Sequence, residues 1–586
     1  MDADTDYLRK WLSKKSLKIA IFRDFHYSQS MQNDSTQAKN SSEKKSLLVS
    51  GLSLSFFTLC SRILGLVREM TKAAFLGTSK FADAFGIAFM IPNLLRRLFA
   101  ENSISVAFIP TFKGYLETED KKTTKEFLNS TLTLISFCTT VVVLLGIALS
   151  PVIVPLFLDS SDSVLIAEAS LLTRIMFPYL FVISIAAFFQ GILNGVKIFS
   201  PSGFTPVLFN SIVIAFTYIL TPILTKDAVD PEFKAQMAAR AMSVGVLCGG
   251  CVQAIFQFPF VVKTGWKNHF TTLKKAFTNP GTKKVLALIG PTIIGMAAYQ
   301  LNDVISTALA GKAGTGIVSS LQYSLRLQEL ILGIFAVSIG TVILPDLSGL
   351  AKTQKWEDFN SLLAQAIKII ALISIPVTFY SLVSGKEIIS LVYKSKNFND
   401  ESVNLTLTAF RAHIAGLFFI AMNRVVAPAF YAQGNTKSPT LAGILGLLVN
   451  MIFALALIKP FSGGGIALAL SLGSLANSIL LFAFLKKNPF INVKAVLGGT
   501  IFYSFKIIIY SVISGAVAYF VRLKFLPFFE DKGRIFGYGG IVLVTALCFA
   551  VCGILLLIIT KDPMIFALKS IIYKKTQHKA TSKNCN

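Results

Sequence analysis

The stretch FGYGGIVLVTALCFAVCGILLLIIT (536–560) contains no charged residue along its whole length. An α-helix needs about 20 consecutive apolar residues to cross a hydrocarbon core roughly 30 Å thick. This stretch is longer than that, and its few polar side chains are hydroxyls and thiols. It therefore predicts a membrane-spanning helix, and other parts of the chain show the same pattern.

The composition agrees with a membrane protein. Hydrophobic residues make up 53% of the 586 residues, charged residues only 15%, and the mean hydropathy is +0.65. An average soluble domain carries about 25% charged residues, and soluble cores could not hide this much apolar surface. A disordered, collagen-like, coiled-coil or disulfide-rich protein is excluded by the same numbers.

Fourteen apolar segments are long enough to span a membrane, and their even number places both chain ends on one side. Numbered 1 to 14 in chain order, the segments are 46–70, 81–112, 127–158, 164–195, 202–224, 237–262, 285–310, 317–345, 359–385, 403–432, 439–459, 464–485, 499–521 and 536–560. The sequence thus predicts an all-α polytopic membrane protein.

Lysines and arginines are sorted between alternate connections. The connections 113–126 and 263–284, the one after 485 and both chain ends are basic, whereas acidic residues gather in odd-numbered connections. Because Lys and Arg collect in cytoplasmic loops, we expect both termini to be cytoplasmic. We expect 1–45 to be a disordered basic tail and 561–586 a second basic tail.

The net charge of +26 follows from this sorting and does not indicate nucleic-acid binding. The seven cysteines lie mostly in apolar segments. One CxxC spacing, Cys248 to Cys251, has no second pair and no nearby histidine, so helix packing by small residues explains it better than a metal. We therefore expect no metal site.

The two halves of the chain repeat two motifs. FFQGILNGVKIFSP (188–201) is echoed by FYAQGNTKSP (430–439), and FAENSISVAFIPTF (99–112) by FAVSIGTVILPDL (335–347), at proline offsets of 238 and 235 residues. These echoes predict two six-helix lobes in parallel repeat, a transporter architecture. The lobes would be 46–262 and 285–485, joined by the basic loop 263–284 and followed by two helices in 499–560. Prolines and glycines that simply gather at helix ends are the alternative.

Charged residues inside the segments are concentrated near the start of the chain. An arginine at a helix centre costs at least about 2.5–3.5 kcal/mol, so each one suggests a function. Guanidinium groups bind phosphate oxygens in pairs, which favours an anionic substrate in an aqueous cavity. Structural salt bridges are the alternative. The residues are Arg62, Arg68 and Glu69 in segment 1, Asp83, Arg96, Arg97 and Glu101 in segment 2, and Arg326 with Glu329 in segment 8.

No catalytic or nucleotide-binding motif is present in the sequence: we find no GxxxxGK[ST], HExxH or GxSxG. We expect a transporter without a cofactor rather than an enzyme. Its energy would then come from an ion gradient or the membrane potential.

Several strings resemble the MurJ/MviN family of lipid II flippases. They are SRILGLVRE (61–69), DAFGIAF (83–89), IPNLLRRLFAEN (91–102), YSLRLQEL (323–330), TVILPDLS (341–348) and FYAQGNTKSP (430–439). The resemblance covers about 45–560 and implies the fourteen-helix fold of the MOP exporter superfamily. Resemblance to the MurJ/MviN family further implies that the protein moves the undecaprenyl-diphosphate-linked disaccharide–pentapeptide from the inner to the outer leaflet of the bacterial cytoplasmic membrane, for peptidoglycan synthesis.

The resemblance also implies roles for individual residues. The cavity arginines that bind the diphosphate would be Arg62, Arg68, Arg96 and Arg326. Their salt-bridge and gating partners would be Glu69, Asp83 and Glu329, and secondary candidates are Arg97, Glu101, Asn302 and Asp303. Segments 13 and 14 would form a groove for the polyprenyl tail.

Three positions depart from the family pattern. Leu325 and Ser306 stand where many members have an aspartate, and Asn102 replaces a glycine. Since some members bind sodium through a carboxylate in segment 7, the coupling ion is left open. Two other functions stay open: export of another polyprenyl-linked saccharide and, less favoured because no acid pair is evident, a polyprenyl glycosyltransferase. Lipid II, membrane lipids and cell-wall synthesis proteins are the expected partners.

Overall fold

Helices account for nearly all of the chain that the structure, a computed structural model, describes: residues 36–98, 104–158, 162–226, 229–529 and 532–564. No β-strand occurs within these ranges. The helices are α1 (Thr36–Leu76), α2 (Lys80–Arg96), α3 (Ile109–Thr118), α4 (Lys121–Ile153), α5 (Ser163–Met176), α6 (Pro178–Gly195), α7 (Ser200–Leu224), α8 (Pro231–Lys263), α9 (Leu273–Thr278), α10 (Pro280–Ala313), α11 (Ile317–Lys352), α12 (Trp356–Tyr393), α13 (Asp400–Ala415), α14 (Leu417–Ala432), α15 (Lys437–Leu485), α16 (Val493–Phe529) and α17 (Gly539–Ile559).

Many of these helices are suited to lipid surroundings. In the described part of the chain, eight helical spans are long and apolar enough to cross a membrane, or nine if α13 and α14 form one bent span. In the span Arg534–Ile559, which includes α17, only 17% of the most apolar part is buried. Apolar side chains left open in this way need lipid around them. The predicted polytopic all-helical membrane fold is confirmed.

Two predicted segments are each divided into two helices. Segment 4 divides into α5 and α6 at Pro178, and segment 10 bends by 41° at Gly416 between α13 and α14. Proline lacks the amide hydrogen that would continue the hydrogen-bond ladder. Segment 2 is described as α2 and, from Ile104, a π-helical turn leading into α3.

Segments 11 and 12 both fall within α15, which is a helical hairpin. Ser462, with φ 48° and ψ −130°, reverses the chain. The two halves then touch closely, because a Cβ on Gly473 would lie 2.8 Å from the carbonyl oxygen of Gly446. Small residues that allow such backbone approach are typical of helix pairs in membranes.

Two compact units divide the chain, Met1–Val304 and Ile305–Asn586. The predicted lobe boundary lay earlier, in the loop 263–284. The start of α10 belongs to the first unit because Val285 lies in the same core as Phe108, Phe127 and Trp266. The predicted repeat of the two lobes stays a prediction.

Parts of both predicted tails belong to the folded structure. α1 begins at Thr36, so 36–45 is helical, since no proline or glycine interrupts it. At the other end Asp562 is fully buried, and Lys506 of α16 donates to it at 2.7 Å. Residues 1–35 and 565–586 lie outside the described residues.

Candidate functional site

Two arginines of the predicted site lie on α1, six positions apart. Arg68 forms an ion pair with Glu69, at 2.9 Å from Nη2 to Oε1, and both side chains are mostly buried. The guanidinium carbon of Arg68 also lies 5.7 Å from the ring centroids of Phe89 and Phe209. Aromatic faces attract cations and so help to hold this charge away from water.

Arg62 is half-buried and lies six residues before Arg68 on α1. It has no ion-pair partner among the residues that the structure describes. Its positive charge is therefore available to a ligand, unlike that of Arg68, which must first leave or share its carboxylate.

Asp83 and a lysine absent from the predicted site are the most deeply buried charges of this region. Asp83 lies in the first turn of α2, which begins where the Ser79 hydroxyl accepts a hydrogen bond from the Ala82 amide. Asp83 and Lys72 are each only 3% exposed, and Lys72 Nζ lies 5.8 Å from the ring centroid of Phe85. Lys72 follows Arg68 by four residues and Glu69 by three, the spacing of one helix face. That periodicity was the signal that could have found it.

The end of α2 carries the next two arginines. Arg96 Nε donates to Asn93 Oδ1 at 2.9 Å. Arg97 reaches α10, where Nη1 lies 3.3 Å from Asp303 Oδ2 and donates to Gln300 Oε1 at 3.2 Å. The structure thus brings together Arg97 and Asp303, two secondary candidates 206 residues apart.

The other two secondary candidates are Asn302 and Glu101. Asn302 is half-buried on α10, beside Asp303. Glu101 lies outside the described residues. Gln300, which is 7% exposed, contacts the site although no sequence pattern marked it.

Arg326 and Glu329 lie in the second unit, on α11. Their ion pair is longer, at 3.4 Å, and Glu329 is 59% exposed. Arg326 Nε is a buried atom with no hydrogen-bond partner among the described residues. Because an unsatisfied buried donor is costly, this guanidinium has unused capacity to bind an anion.

The first unit holds more positive than negative charge in this region. Among the described residues of this cluster, five side chains are basic and three are acidic: Arg62, Arg68, Lys72, Arg96 and Arg97 against Glu69, Asp83 and Asp303. Arginine keeps its charge when desolvated and binds phosphate oxygens through two parallel N–H bonds. The arrangement is chemically suited to a phosphate-bearing anion.

The described residues of this region are less suited to binding a metal ion than an anion. Within the described residues, no group of three or more His, Cys, Asp or Glu side chains lies close enough to hold one. Asp303, one turn before Ser306 on α10, is paired with Arg97.

An apolar cavity of about 450 Å³ lies between α12, α16 and α17 in the second unit. Its lining includes Pro376 of α12, Ile507 of α16 and Ala546 of α17, with Tyr380 and Ser514 among its few polar groups. A cavity of this kind suits a hydrocarbon chain.

Ion pairs fix the helices around this cavity. Arg522 of α16 pairs with the buried Glu387 of α12 at 2.6 Å. Lys394, just after α12, lies 2.6 Å from Asp400 and donates to the Tyr538 hydroxyl before α17. These polar contacts lie further along the helices than the residues that line the cavity, and they join α12 to α16 and to the turn before α17.

Fold and charged cluster together define a polytopic helical transporter. An inward-facing multidrug resistance MATE transporter of the MOP superfamily shares the fold, with a TM-score of 0.58 and 16% identity over 74% of this chain and 95% of that one. The structure of a lipid II flippase MurJ in an inward closed conformation is more similar. Its TM-score is 0.69 at 26% identity, and the match covers 87% of this chain and 99% of that one.

Sequence relatives give the family. The family model of the lipid II flippase MurJ matches residues 72–530. A probable lipid II flippase MurJ of Treponema pallidum is 44% identical over 90% of this chain and 99% of its own length. Another, from Haemophilus influenzae, is 32% identical over 73% of this chain and 84% of its own length. The chain belongs to the MurJ family of lipid II flippases, which are transporters rather than enzymes, and the predicted resemblance is confirmed.

Proposed function

We propose that the chain moves lipid II from the inner to the outer leaflet of the bacterial cytoplasmic membrane. Membership of the MurJ family supports this substrate. The observation that carries the proposal is the excess of basic over acidic side chains on α1, α2 and the adjoining part of α10. Lipid II bears a diphosphate between its saccharide and its polyprenyl tail, and guanidinium groups match that diphosphate.

Transport would proceed by alternating access. Arg62, Arg68 and Arg96 would bind the diphosphate, and Arg326 on α11 is the further candidate for this role. Arg68 exchanges Glu69 for a phosphate oxygen, and Asp83 balances the charges left when the site is empty. The guanidinium of Arg68 is already largely withdrawn from water, so exchanging one anionic partner for another adds little desolvation cost on the arginine itself.

The polyprenyl tail stays outside the polar site. We place it in the apolar cavity between α12, α16 and α17. The headgroup can then cross while the tail remains in surroundings like those of the bilayer.

Energy would come from the membrane potential or an ion gradient, without a cofactor. The potential supplies about 2.3 kcal/mol per elementary charge per 100 mV. An ionophore that removes the potential should lower transport at constant ATP. Unchanged transport would indicate that an ion gradient, and not the membrane potential, supplies the energy.

The chain is a multi-pass membrane protein, and we infer that both termini are cytoplasmic. The basic connection 263–284 would then be cytoplasmic and the acidic connection between α7 and α8 external. Intact cells treated with an impermeant maleimide test this: a cysteine at Asp230 should react and one at Lys267 should not. Lipid II and the surrounding lipids are the proposed partners, and cell-wall synthesis proteins would use the product.

Arg62→Ala tests the diphosphate site. Cells depleted of the native chain would express the variant, and an impermeant headgroup label would measure lipid II in the outer leaflet. A charge-assisted hydrogen bond contributes about 1.5–3 kcal/mol, so we expect transport to fall roughly tenfold or more.

Two further variants make the result specific. Arg62→Lys keeps the charge but loses the two-pronged contact, so it should be intermediate. Arg174→Ala removes an exposed arginine that donates to Ser150, and it should transport normally. Full transport by Arg62→Ala would remove the diphosphate role from this residue.

A further inference from the structure

The segment 263–284, which joins α8 to α10, is strongly basic. It contains no aspartate or glutamate. All of its lysines are exposed: Lys263, Lys267, Lys274, Lys275, Lys283 and Lys284. Their charge would attract anions, and the position of the segment relative to the bilayer decides which anions it meets.

Hydrogen bonds hold this segment along α4. The His269 amide donates to Asn129 Oδ1 at 3.0 Å, and the Thr271 amide donates to Thr133 Oγ1 at 2.9 Å. Trp266, which is 8% exposed, anchors the start of the segment in the core of the first unit. The segment is therefore a fixed surface with a defined direction along α4.

Large apolar side chains of this surface are left open. Phe270 is 62% exposed, and Leu273 and Phe277 are each 42% exposed. Leu273 and Phe277 are four residues apart and so share one side of the short helix α9, and Phe270 lies in the irregular segment just before this helix. Lysines 274 and 275 lie between them in sequence, which makes the surface amphipathic.

This apolar side joins the apolar face of α4. The ring of Phe277 packs edge-on against that of Phe137, with centroids 6.1 Å apart. Phe137 is the first of a row of exposed apolar residues along α4, continued by Val141, Leu144, Leu145, Leu149 and Val152. A row of this kind is the lipid-facing side of a spanning helix. The segment thus lies where hydrocarbon ends and the headgroups begin.

We propose that the segment 263–284 is a binding surface for anionic phospholipid headgroups of the leaflet that it borders. Phe270, Leu273 and Phe277 enter the boundary between acyl chains and headgroups, and the lysines meet the phosphates. Basic amphipathic segments bind membranes through this combination of apolar burial and attraction to anionic lipid. The inference goes beyond the proposed function, because it concerns lipids that surround the chain and not the cargo.

The full chain in detergent micelles, titrated with single phospholipids and measured by native mass spectrometry, tests this. The probes are phosphatidylglycerol, which is anionic, and phosphatidylcholine, which is zwitterionic. The test variant is Lys274→Gln with Lys275→Gln. The matched control, Lys226→Gln with Lys234→Gln, removes two exposed lysines near the opposite end of α8.

We expect the native chain to bind phosphatidylglycerol more tightly than phosphatidylcholine. Because each lysine near the surface adds to the attraction, the test variant should weaken phosphatidylglycerol binding by roughly tenfold. Its phosphatidylcholine binding should not change, and the control should match the native chain for both lipids.

A second variant, Leu273→Ser with Phe277→Ser, tests the apolar contribution and should weaken both lipids. Equal binding of the two lipids by the native chain, or native phosphatidylglycerol binding by the lysine variant, would overturn the proposal. An equal loss in the control variant would also overturn it, since the attraction would then belong to the whole chain.

Discussion

Two arginines of the first unit are each stabilised by more than one neighbour. Arg68 has a carboxylate and two aromatic rings around it, and Arg97 has a carboxylate and an amide. Such arrangements offset the desolvation of an ion in an apolar chain. They also leave the guanidinium able to change partners, which a diphosphate site requires.

Sequence reasoning found part of this arrangement. Arg68 and Glu69 are adjacent, so their pairing could be anticipated from the sequence. Arg97 and Asp303 both stood out as charges in apolar segments, but their contact depends on α2 and α10 lying side by side, which no local pattern encodes. Lys72 was missed although its spacing from Arg68 placed it on the same face.

The pair of Arg97 and Asp303 makes a prediction at this scale. Both side chains are more than a third exposed, so the pair adds at most about 1 kcal/mol to stability. Arg97→Asp should therefore leave the protein folded but reduce transport, because the new aspartate would face Asp303 and repel it in place of the native attraction.

Exchanging the pair is the control for that experiment. Arg97→Asp combined with Asp303→Arg restores opposite charges and should recover a large part of transport, measured as outer-leaflet lipid II. If the exchanged protein transports no better than Arg97→Asp alone, the contact between these two residues has no part in transport.

Elements differ from their sequence patterns mainly where the chain turns or two backbones meet. The hairpin within α15 was predicted as two segments, 439–459 and 464–485, and Ser462 lies between them. The close contact of Gly446 with Gly473 could not be predicted, because glycines in apolar segments also occur at bends and in loose packing.

Gly473→Val should separate the two halves of that hairpin. Its Cβ would lie 2.8 Å from the carbonyl oxygen of Gly446 and from Asn450 Cβ, which forces the backbones apart. We expect a loss of about 1–3 kcal/mol in stability, seen as a lower midpoint of thermal unfolding in detergent. Gly443→Val, in the same helix with open space around it, should unfold like the native chain.

The cavity between α12, α16 and α17 supports a prediction about the polyprenyl tail. Ala546→Phe would add a ring to this cavity, whereas Leu547→Phe adds one at a neighbouring exposed position. Transport should fall in the first variant and stay near native in the second. A headgroup analogue without the polyprenyl tail should bind both equally. Transport by Ala546→Phe at the native level would show that the polyprenyl tail does not occupy this cavity.

The whole molecule shows how far composition and periodicity lead. Low charge content and long apolar segments predicted a polytopic helical membrane protein, because lipid imposes strong demands on length and polarity. The unit boundary at Val304 was not predicted, since it depends on the packing of α10 against the first core. Family strings such as PNLLRRLFAE identified the family, which composition alone could not do.

The most direct measurement is the leaflet distribution of lipid II in cells depleted of this chain, read with an impermeant toxin that cleaves the headgroup. We predict that outer-leaflet lipid II disappears while total lipid II rises, and that re-expression of the native chain restores the outer pool. An unchanged outer pool in cells that have no second flippase would contradict transport of lipid II by this protein.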